Sequence, residues 1–504
     1  MMLLNDLTLP DGIRVLGTLD RTVNGVSLDS RTVGPGFLYA ALPGANVHGA
    51  SFAAPLVAQG LRAVLTDEAG LAIVREAAEA EGISLADVTF LVIEEPRAHL
   101  GGIAAQVYGT DPVAPSLLGI TGTNGKTTTT YLVDGLLRAL GRTTGVIGTV
   151  ATLIAGERLP SARTTPEAPE LHSLLARMRA RGVDDCAMEV SSHALHQHRV
   201  DGVFFDVVGF TNLTQDHLDY HPTMRDYFEA KALLFTPRFA RTGAIVLADD
   251  WARELAAEAP IPVVTISREE SDRPDWHVTG ESGSDFVLVG PAGERIVARS
   301  PLPGDFNVMN TALALVLLVL HGVAPEDLAP VAASFDVAVP GRMEVVHPEA
   351  PRVVVDYSHT SDALEKVLHG LRESSPLVVV FGAGGDRDPL KRPLMGAAAA
   401  RHADVIIVTD DNPRSEDPAT IRAAVLLGVQ AEIAAGNARV RSTAVHEIGD
   451  RAAAIAAGVE AAGASGTLLV AGKGHETGQT VGNIVHPFDD REQTRAAIAH
   501  VLSR

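Results

Sequence analysis

The stretch Gly119-Ile120-Thr121-Gly122-Thr123-Asn124-Gly125-Lys126-Thr127-Thr128 restricts the fold more than any other part of the chain. The apolar run Ser116–Thr121 reads as a buried strand, and a helical pattern starts at Lys126 and runs to about Leu140. A strand that turns through glycines straight into a helix aims backbone N–H groups into the turn. The helix N-terminus adds a field that favours an anion. Gly122, Thr123, Asn124 and Gly125 would close round phosphate oxygens, with Thr128 following in the first helical turn. Lys126 can reach the β/γ phosphates, and the Thr127 hydroxyl can ligate Mg²⁺. The spacing departs from the strict Walker pattern, because Ile120 stands where a glycine would. A Gly-rich turn with an incidental Lys-Thr is the competing reading; the strand before it and the helix after it favour a nucleotide.

At 504 residues the chain exceeds what one core holds, and the phosphate-loop unit must share it with other domains. Nearly half the residues are hydrophobic and 20% are charged, the balance of an ordinary soluble protein. Aromatics make up only 4%, so Ala, Val, Leu and Ile must build the cores. Cys186 is the only cysteine and no intrachain disulfide can form. The start, Met1-Met2-Leu3-Leu4-Asn5-Asp6, lacks the basic and apolar segments of a signal peptide, and the longest apolar run, 312–320, is too short to span a bilayer. A cytoplasmic protein is expected, with no membrane insertion, and a monomer. A formal charge of −21 argues against nucleic acid, which needs a basic surface, but leaves room for a nucleotide held by local donors.

Three blocks follow from punctuation and periodicity, with expected boundaries at 1–112, 113–338 and 339–504. The first mixes short apolar runs at 37–42 and 63–66 with a helical stretch near 69–81. The second alternates strands, at 116–121, 186–190, 207–211, 244–247 and 263–266, with helices, ending in helices from about Phe306 and from Pro325. That is the signature of a mostly parallel α/β sheet, here a P-loop-type ATPase domain. After Val339-Pro340-Gly341-Arg342 the alternation resumes, with strands at 352–356, 377–381, 405–409 and 467–471 and helices at 361–372 and 390–402, giving a Rossmann-like unit. The fold class is α/β with three domains.

Two expected strand ends carry metal-ligating side chains, Glu189-Val190-Ser191-Ser192-His193 and the segment 210–221 with Asp216, His217 and His221. The carboxyl ends of parallel strands are where such sheets hold ligands, and hard oxygens with an imidazole suit Mg²⁺ beside phosphates. A zinc site from His193, His196, His198, His217 and His221 is the alternative; it has no Cys ligand and fits the phosphate loop less well.

Thr-Gly-Thr-Asn-Gly-Lys-Thr-Thr resembles the ATP loop of the Mur ligases and of their folylpolyglutamate-synthetase relatives. Within that family, the Asp29-Ser30-Arg31 segment, the Thr164-Thr165-Pro166-Glu167 loop and the run 191–199 resemble the ligase that adds the third residue of the peptidoglycan stem peptide. An N-terminal α/β UDP-binding domain follows from this resemblance. So do contacts of Ser30, Thr164, Thr165, Ser191, Gln197 and Arg199 with UDP-MurNAc-L-Ala-D-Glu. Asn307, Asn310, Arg342, Asp356 and His359 match the ATP and hinge motifs. In Asp356-Tyr357-Ser358-His359-Thr360-Ser361-Asp362, Ser358 and Ser361 depart from the usual alanine and proline, which leaves the stiffness of the loop open. The resemblance also implies that Lys231, in Glu229-Ala230-Lys231, is carbamylated to N6-carboxylysine and joins Thr127, Glu189 and His217 as a magnesium ligand. Lys126, Lys231 and His217 would then be the catalytic residues.

Gly384-Gly385-Asp386-Arg387-Asp388, Asp411-Asn412-Pro413-Arg414 and Gly472-Lys473-Gly474-His475-Glu476 complete the match. Arg387, Asp411, Asn412, Pro413, Arg414, Gly472 and Glu476 are expected to hold the incoming amino acid. A fork from Arg414 suits the distal carboxylate of meso-diaminopimelate, which lysine and ornithine lack, and a site built for that bond penalises both. Arg414 paired with Glu416 or Asp417 in a solvated loop is the competing reading, and it leaves lysine and ornithine open. An ATP-hydrolysing regulatory module without ligation is the alternative of a different class.

Overall fold

The computed structural model describes residues 2–44, 46–110, 115–280, 283–372 and 376–502. Its residues build three principal sheets in chain order. The expected first boundary, at 112/113, lies outside the described residues.

The first sheet orders five strands as Arg14–Leu16, Thr89–Val92, Ala63–Thr66, Phe37–Ala40 and Gly25–Ser27. The last four are parallel, and the first is antiparallel. The expected helix near 69–81 spans Glu68–Glu81. It starts where the Asp67 carboxylate accepts the Gly70 N–H, and it stops at Gly82, whose φ of 66° suits a left-handed cap.

The central sheet has eleven strands, seven of them parallel, from Thr144–Ile147 to Trp276–Thr279. Ser116–Thr121 lies between Asp185–Glu189 and Phe205–Phe210. Its side chains alternate between two cores: Leu117 joins the layer of Cys186, Met188 and Phe205, while Leu118 and Ile120 join that of Leu132, Leu136 and Leu313. Burial on both faces explains the continuous apolar run. The apolar run 312–320 lies in the helix Asp305–Leu320, buried against Lys126–Ala139. Antiparallel edges, Thr152–Ile154 with Glu157–Leu159 and Asp285–Val289 with Arg295–Arg299, are additions the sequence reading did not contain.

The third sheet has six strands. The five parallel strands run in the order Arg352–Asp356, Thr467–Ala471, Leu377–Phe381, Val405–Val408 and Val445–Glu447, with Glu344–His347 antiparallel at one edge. The expected helices appear as Ser361–Gly370 and Lys391–His402. Pro418–Ala435, unforeseen, is long and apolar enough by composition to cross a bilayer. Ile421, Val425 and Val429 on one face pack into the core of this sheet. Ser358 and Ser361 leave the loop braced: Ser358 donates from its N–H and hydroxyl to Asp356, and Thr360 caps the helix that Ser361 opens.

Candidate active site

Three adjacent strands of the central sheet deliver the first part of the site from their carboxyl ends. The loop leaves the middle strand; Glu189 ends one neighbour, and Thr211 and Asn212 follow the other. Gly122 and Gly125 take φ of 141° and 88°, and a Cβ on Gly122 would lie 1.9 Å from the Thr211 hydroxyl oxygen. Only glycine lets the loop approach this close. Asn124 donates from its backbone to the Asn212 side-chain oxygen at 3.1 Å, and Thr123 donates to the Asn212 carbonyl at 2.8 Å. Lys126 crosses the loop and donates to the carbonyls of Gly122 at 2.9 Å and Thr123 at 2.8 Å.

Glu189 is buried and accepts three donors: the Thr127 hydroxyl at 2.9 Å, the Thr149 N–H at 2.7 Å and the Thr149 hydroxyl at 3.0 Å. This all-oxygen group beside the loop fits a hard cation. Among the described residues no three His, Cys, Asp or Glu side chains gather into a metal cage, which removes the five-histidine zinc reading. The imidazoles of His193, His196, His217 and His221 instead pack with Tyr220 and Tyr227 through ring faces and edges, and His198 turns away to Asp201 at 2.8 Å.

Lys231 is buried, donates to the Gly122 carbonyl at 2.8 Å and lies 4.6 Å from the centre of the Tyr227 ring. Burial, reinforced by nearby Lys126, pushes its ammonium well below the ordinary lysine range. His217 sits at φ 55° beside Asp216. Burial holds its imidazole neutral even though Asp216 opposes this. Burial also works against the Asp216 carboxylate, but His217 and His359, where they take up a proton, together with the Lys391 ammonium and the His217 N–H, outweigh it and hold it below the ordinary carboxylate range.

A cavity of about 510 Å³ opens between the central and third sheets. Asn124 and Gly125 enter it from the loop, Thr128 from the first turn of the helix after it, Asn310 from the long helix, and Arg342, Asp356 and His359 from the C-terminal part. Val246, Leu247, Phe306 and Met309 give it an apolar side suited to a flat base. Asn307 does not line it: its amide donates to Pro303 and accepts from Asn310, holding Asn310 against Gly125. Asp356 braces the turn at 341–343 through the Met343 N–H at 2.7 Å. Arg342 stacks over Tyr357 and donates to Thr127 at 3.2 Å, and Asn124 donates to Asp362 at 3.2 Å, so the two parts meet across the cavity.

On the other flank, Thr164 accepts from Thr149 at 2.9 Å, and Thr165 donates to the Glu189 carbonyl and accepts the Ser191 N–H. Arg199 is no surface arginine. Its side chain is 14% exposed, pairs with Glu167 at 3.1 Å and touches Gln197 and Thr165. Glu167 also takes Arg97, from the first part of the chain, at 2.8 Å. Glu167, Arg97 and Thr149 were not singled out from sequence; the position of Glu167 directly after Thr-Thr-Pro was the available signal. Ser30 lies half-buried in the turn that the Thr32 N–H closes on the Asp29 carbonyl, after the Gly25–Ser27 strand.

The third group stands at the carboxyl ends of Leu377–Phe381, Val405–Val408 and Thr467–Ala471. Asn412 donates to Glu476 at 2.8 Å. Lys473, fully buried and also unforeseen, donates to Asn412 at 3.0 Å and Glu476 at 3.2 Å and lies 3.5 Å from Asp411. A Cβ on Gly472 would approach Asp411 at 3.1 Å, and the Pro413 carbonyl fills the space beside Gly385. Arg387 is exposed. Arg414 donates to the Gly385 carbonyl at 2.6 Å. Neither Glu416 nor Asp417 pairs with it: Glu416 takes Arg392, and Asp417 caps the helix that follows.

Family models match along most of this framework: the Mur ligase family catalytic domain over residues 22–108, the Mur ligase middle domain over 120–318 and the Mur ligase glutamate ligase domain over 341–474. Two relatives named UDP-N-acetylmuramoyl-L-alanyl-D-glutamate--2,6-diaminopimelate ligase are similar along the chain. The Streptomyces coelicolor protein is 49% identical, over 94% of this chain and 92% of its own. The Streptomyces avermitilis protein is 48% identical, over 95% and 93%. A solved structure of a ligase with the same name superposes with a TM-score of 0.62 at 33% identity, covering 95% of each chain. With three domain models matched in order along the chain and relatives at 48–49% identity over more than nine tenths of it, the chain belongs to the Mur ligase family.

Proposed function

We propose that this protein is the ATP-dependent ligase that joins meso-diaminopimelate to the D-glutamate γ-carboxylate of UDP-MurNAc-L-Ala-D-Glu. The observation that carries the amino-acid choice is Arg414, held at one end by a backbone carbonyl and paired with neither neighbouring carboxylate. Its remaining donors suit the distal carboxylate of the incoming molecule. Arg387 takes the other carboxylate, and Glu476, aligned by Asn412 and Lys473, receives an ammonium.

In this reading the chain divides into a UDP-substrate domain (1–112), an ATP domain (113–338) and an amino-acid domain (339–504). ATP lies in the cavity with its base on the apolar side and its phosphates on the loop. The γ-phosphoryl group passes to the substrate carboxylate, the amine attacks the acyl phosphate, and phosphate leaves. Positioning and charge neutralisation supply most of the acceleration in such a transfer. Lys126 lies over the phosphates. Thr127 and Glu189 would hold Mg²⁺, which neutralises phosphate charge when bound. Lys231, kept as a neutral amine, is the form that adds CO₂, its nitrogen bonding the carbon as one N–H proton is lost to solvent, and as carboxylysine it would present oxygens beside His217. Thr164, Thr165, Ser191, Gln197 and Arg199 orient the dipeptide, and Ser30 the uridine end. In this reading the protein acts as a cytoplasmic monomer without membrane insertion; the packed face of Pro418–Ala435 and the ion pairs of Arg422 and Glu432 support the last of these, the absence of insertion.

The test is phosphate release with ATP, Mg²⁺ and UDP-MurNAc-L-Ala-D-Glu, adding meso-diaminopimelate, lysine, ornithine or nothing. Release only with diaminopimelate is expected. Release with lysine or ornithine would keep the ligase and overturn the role of Arg414. Release without any amino acid would replace the ligase with an ATPase module.

A further inference from the structure

The two arginines offered to the diamino acid come from separate loops, one at residues 383–389 and one at 409–417, each following a different strand. The pairing of Leu377–Phe381 with Val405–Val408 fixes where the two loops start but not the separation of residues further along them, and a two-carboxylate ligand is measured by that separation. In this protein the loops are clipped together behind the arginines. Arg392, its side chain 5% exposed, forms a two-bond fork to Glu416, at 2.7 and 2.9 Å, and a longer bond to the Gly384 carbonyl at 3.3 Å. Glu416 also accepts the Asp386 N–H at 2.6 Å. Asp386 in turn accepts the hydroxyl and N–H of Ser415, at 2.6 and 3.1 Å. Arg414 closes the set on the Gly385 carbonyl. The fit allows no slack, since a Cβ on Gly385 would lie 1.9 Å from the Pro413 carbonyl oxygen.

The Arg392–Gly384 bond holds the first loop to the helix it leads into; every other bond crosses from one loop to the other or ties the second loop to that helix. Asp386 and Arg414 both take positive φ, 51° and 52°, a backbone state that non-glycine residues hold only when their surroundings over-determine it. We infer that Glu416, through Arg392 and Asp386, is the positioning residue that sets the spacing of Arg387 and Arg414 and so selects a diamino acid by the separation of its carboxylates. It does not touch the ligand. A planar fork fixes orientation as well as distance, which a single lysine–carboxylate contact would not.

This inference rests on the ligase reading, and the experiment keeps the two apart. Phosphate release is measured for the wild type, Glu416→Gln and Ser415→Ala, varying each of the three substrates in turn, beside thermal unfolding. For Glu416→Gln the KM for the diamino acid rises about tenfold or more, roughly the loss of one charge-assisted contact. The KM values for ATP and the UDP-linked dipeptide stay within about twofold, and the preference for diaminopimelate over lysine narrows. Ser415→Ala, an exposed change that strands no charge, moves the same two readouts in the same direction by less. Should Glu416→Gln not fold, because Arg392 loses its partner in a buried place, Ser415→Ala decides. An unchanged diamino-acid KM in a folded variant, or an equal loss for all three substrates, overturns the positioning role. A wild type that releases phosphate without a diamino acid overturns the ligase reading and this inference with it.

Discussion

Glu189 shows how much one side chain organises. Its two oxygens receive Thr127 from the loop and both donors of Thr149, tying the nucleotide side of the site to the Thr164 side. Glu189→Gln keeps the shape but replaces one acceptor oxygen with a donor facing donors. The expected result is a fall of about 10²-fold or more in kcat, the scale of losing one preorganised electrostatic contact, with a raised Mg²⁺ requirement. Phosphate release titrated with Mg²⁺ checks it, and an unchanged requirement would take Glu189 out of the metal site. Arg414→Ala removes a charged fork of about 1.5–3 kcal/mol. That converts to a rise of about 10–100-fold in the KM for diaminopimelate, with the KM for lysine nearly unchanged. Competition between the two amino acids reads this directly, and an equal loss for both would mean that Arg414 holds the shared end instead.

The turn at 340–344 is the element on which the two halves of the nucleotide site depend. Gly341 has φ 66° and its N–H donates to Glu344 at 2.8 Å, while Asp356 takes the next-but-one N–H. A Cβ there would lie 2.1 Å from the His475 backbone nitrogen, so the Gly474–His475 segment would have to move. Gly341→Ala should therefore misplace Arg342, which bridges to Thr127, and lower kcat about tenfold while the unfolding of the central sheet stays put. Kinetics beside calorimetry check this; wild-type kcat would mean the turn can flex without the arginine. Strands buried on both faces, such as Ser116–Thr121 and Leu377–Phe381, were legible as apolar runs, and so was the loop, whose glycines, lysine and threonines are contiguous. The edge hairpins were not: Arg295–Arg299 alternates strictly between exposed and buried positions, but its outward Val297 is as apolar as the buried Ile296 and Ala298, so the residue types hide the alternation. Pro418–Ala435 escaped as well, since its mixed apolar faces carry no clear helical stripe. At the site, each motif was readable but its partners were not. The pairing of Glu167 with Arg97 joins residues seventy positions apart, and Arg392 with Glu416 joins two loops whose adjacency only the sheet order decides.

At the scale of the whole molecule, the central and C-terminal parts meet across a seam that carries half-buried histidines. His359 lies 3.8 Å from Asp216 of the central part, and both His359 and His475 pack against the Tyr357 ring. Burial, with Lys391 adding to it, pushes the His359 imidazole down to about 4; burial, with Arg342 and Arg491, pushes His475 to about 3. In the unfolded chain both titrate near 6.5. Between pH 6.5 and 4 the unfolded state therefore binds more protons than the folded one, and stability falls as pH falls through that window. Asp216 acts in the same sense at the acid end, because its neighbours hold it ionised when folded and that contribution disappears once it is protonated. The expected outcome is an unfolding temperature of the C-terminal part that rises steadily from pH 4.5 to 6.5 and then levels, by about 2–4 °C for each kcal/mol regained. Calorimetry at four pH values reads it. A His359→Gln/His475→Gln variant, which has no imidazole left to charge in the unfolded chain, should show a flatter rise over the same window. An equally steep rise in that variant would move the origin of the acid sensitivity from the seam to the carboxylates.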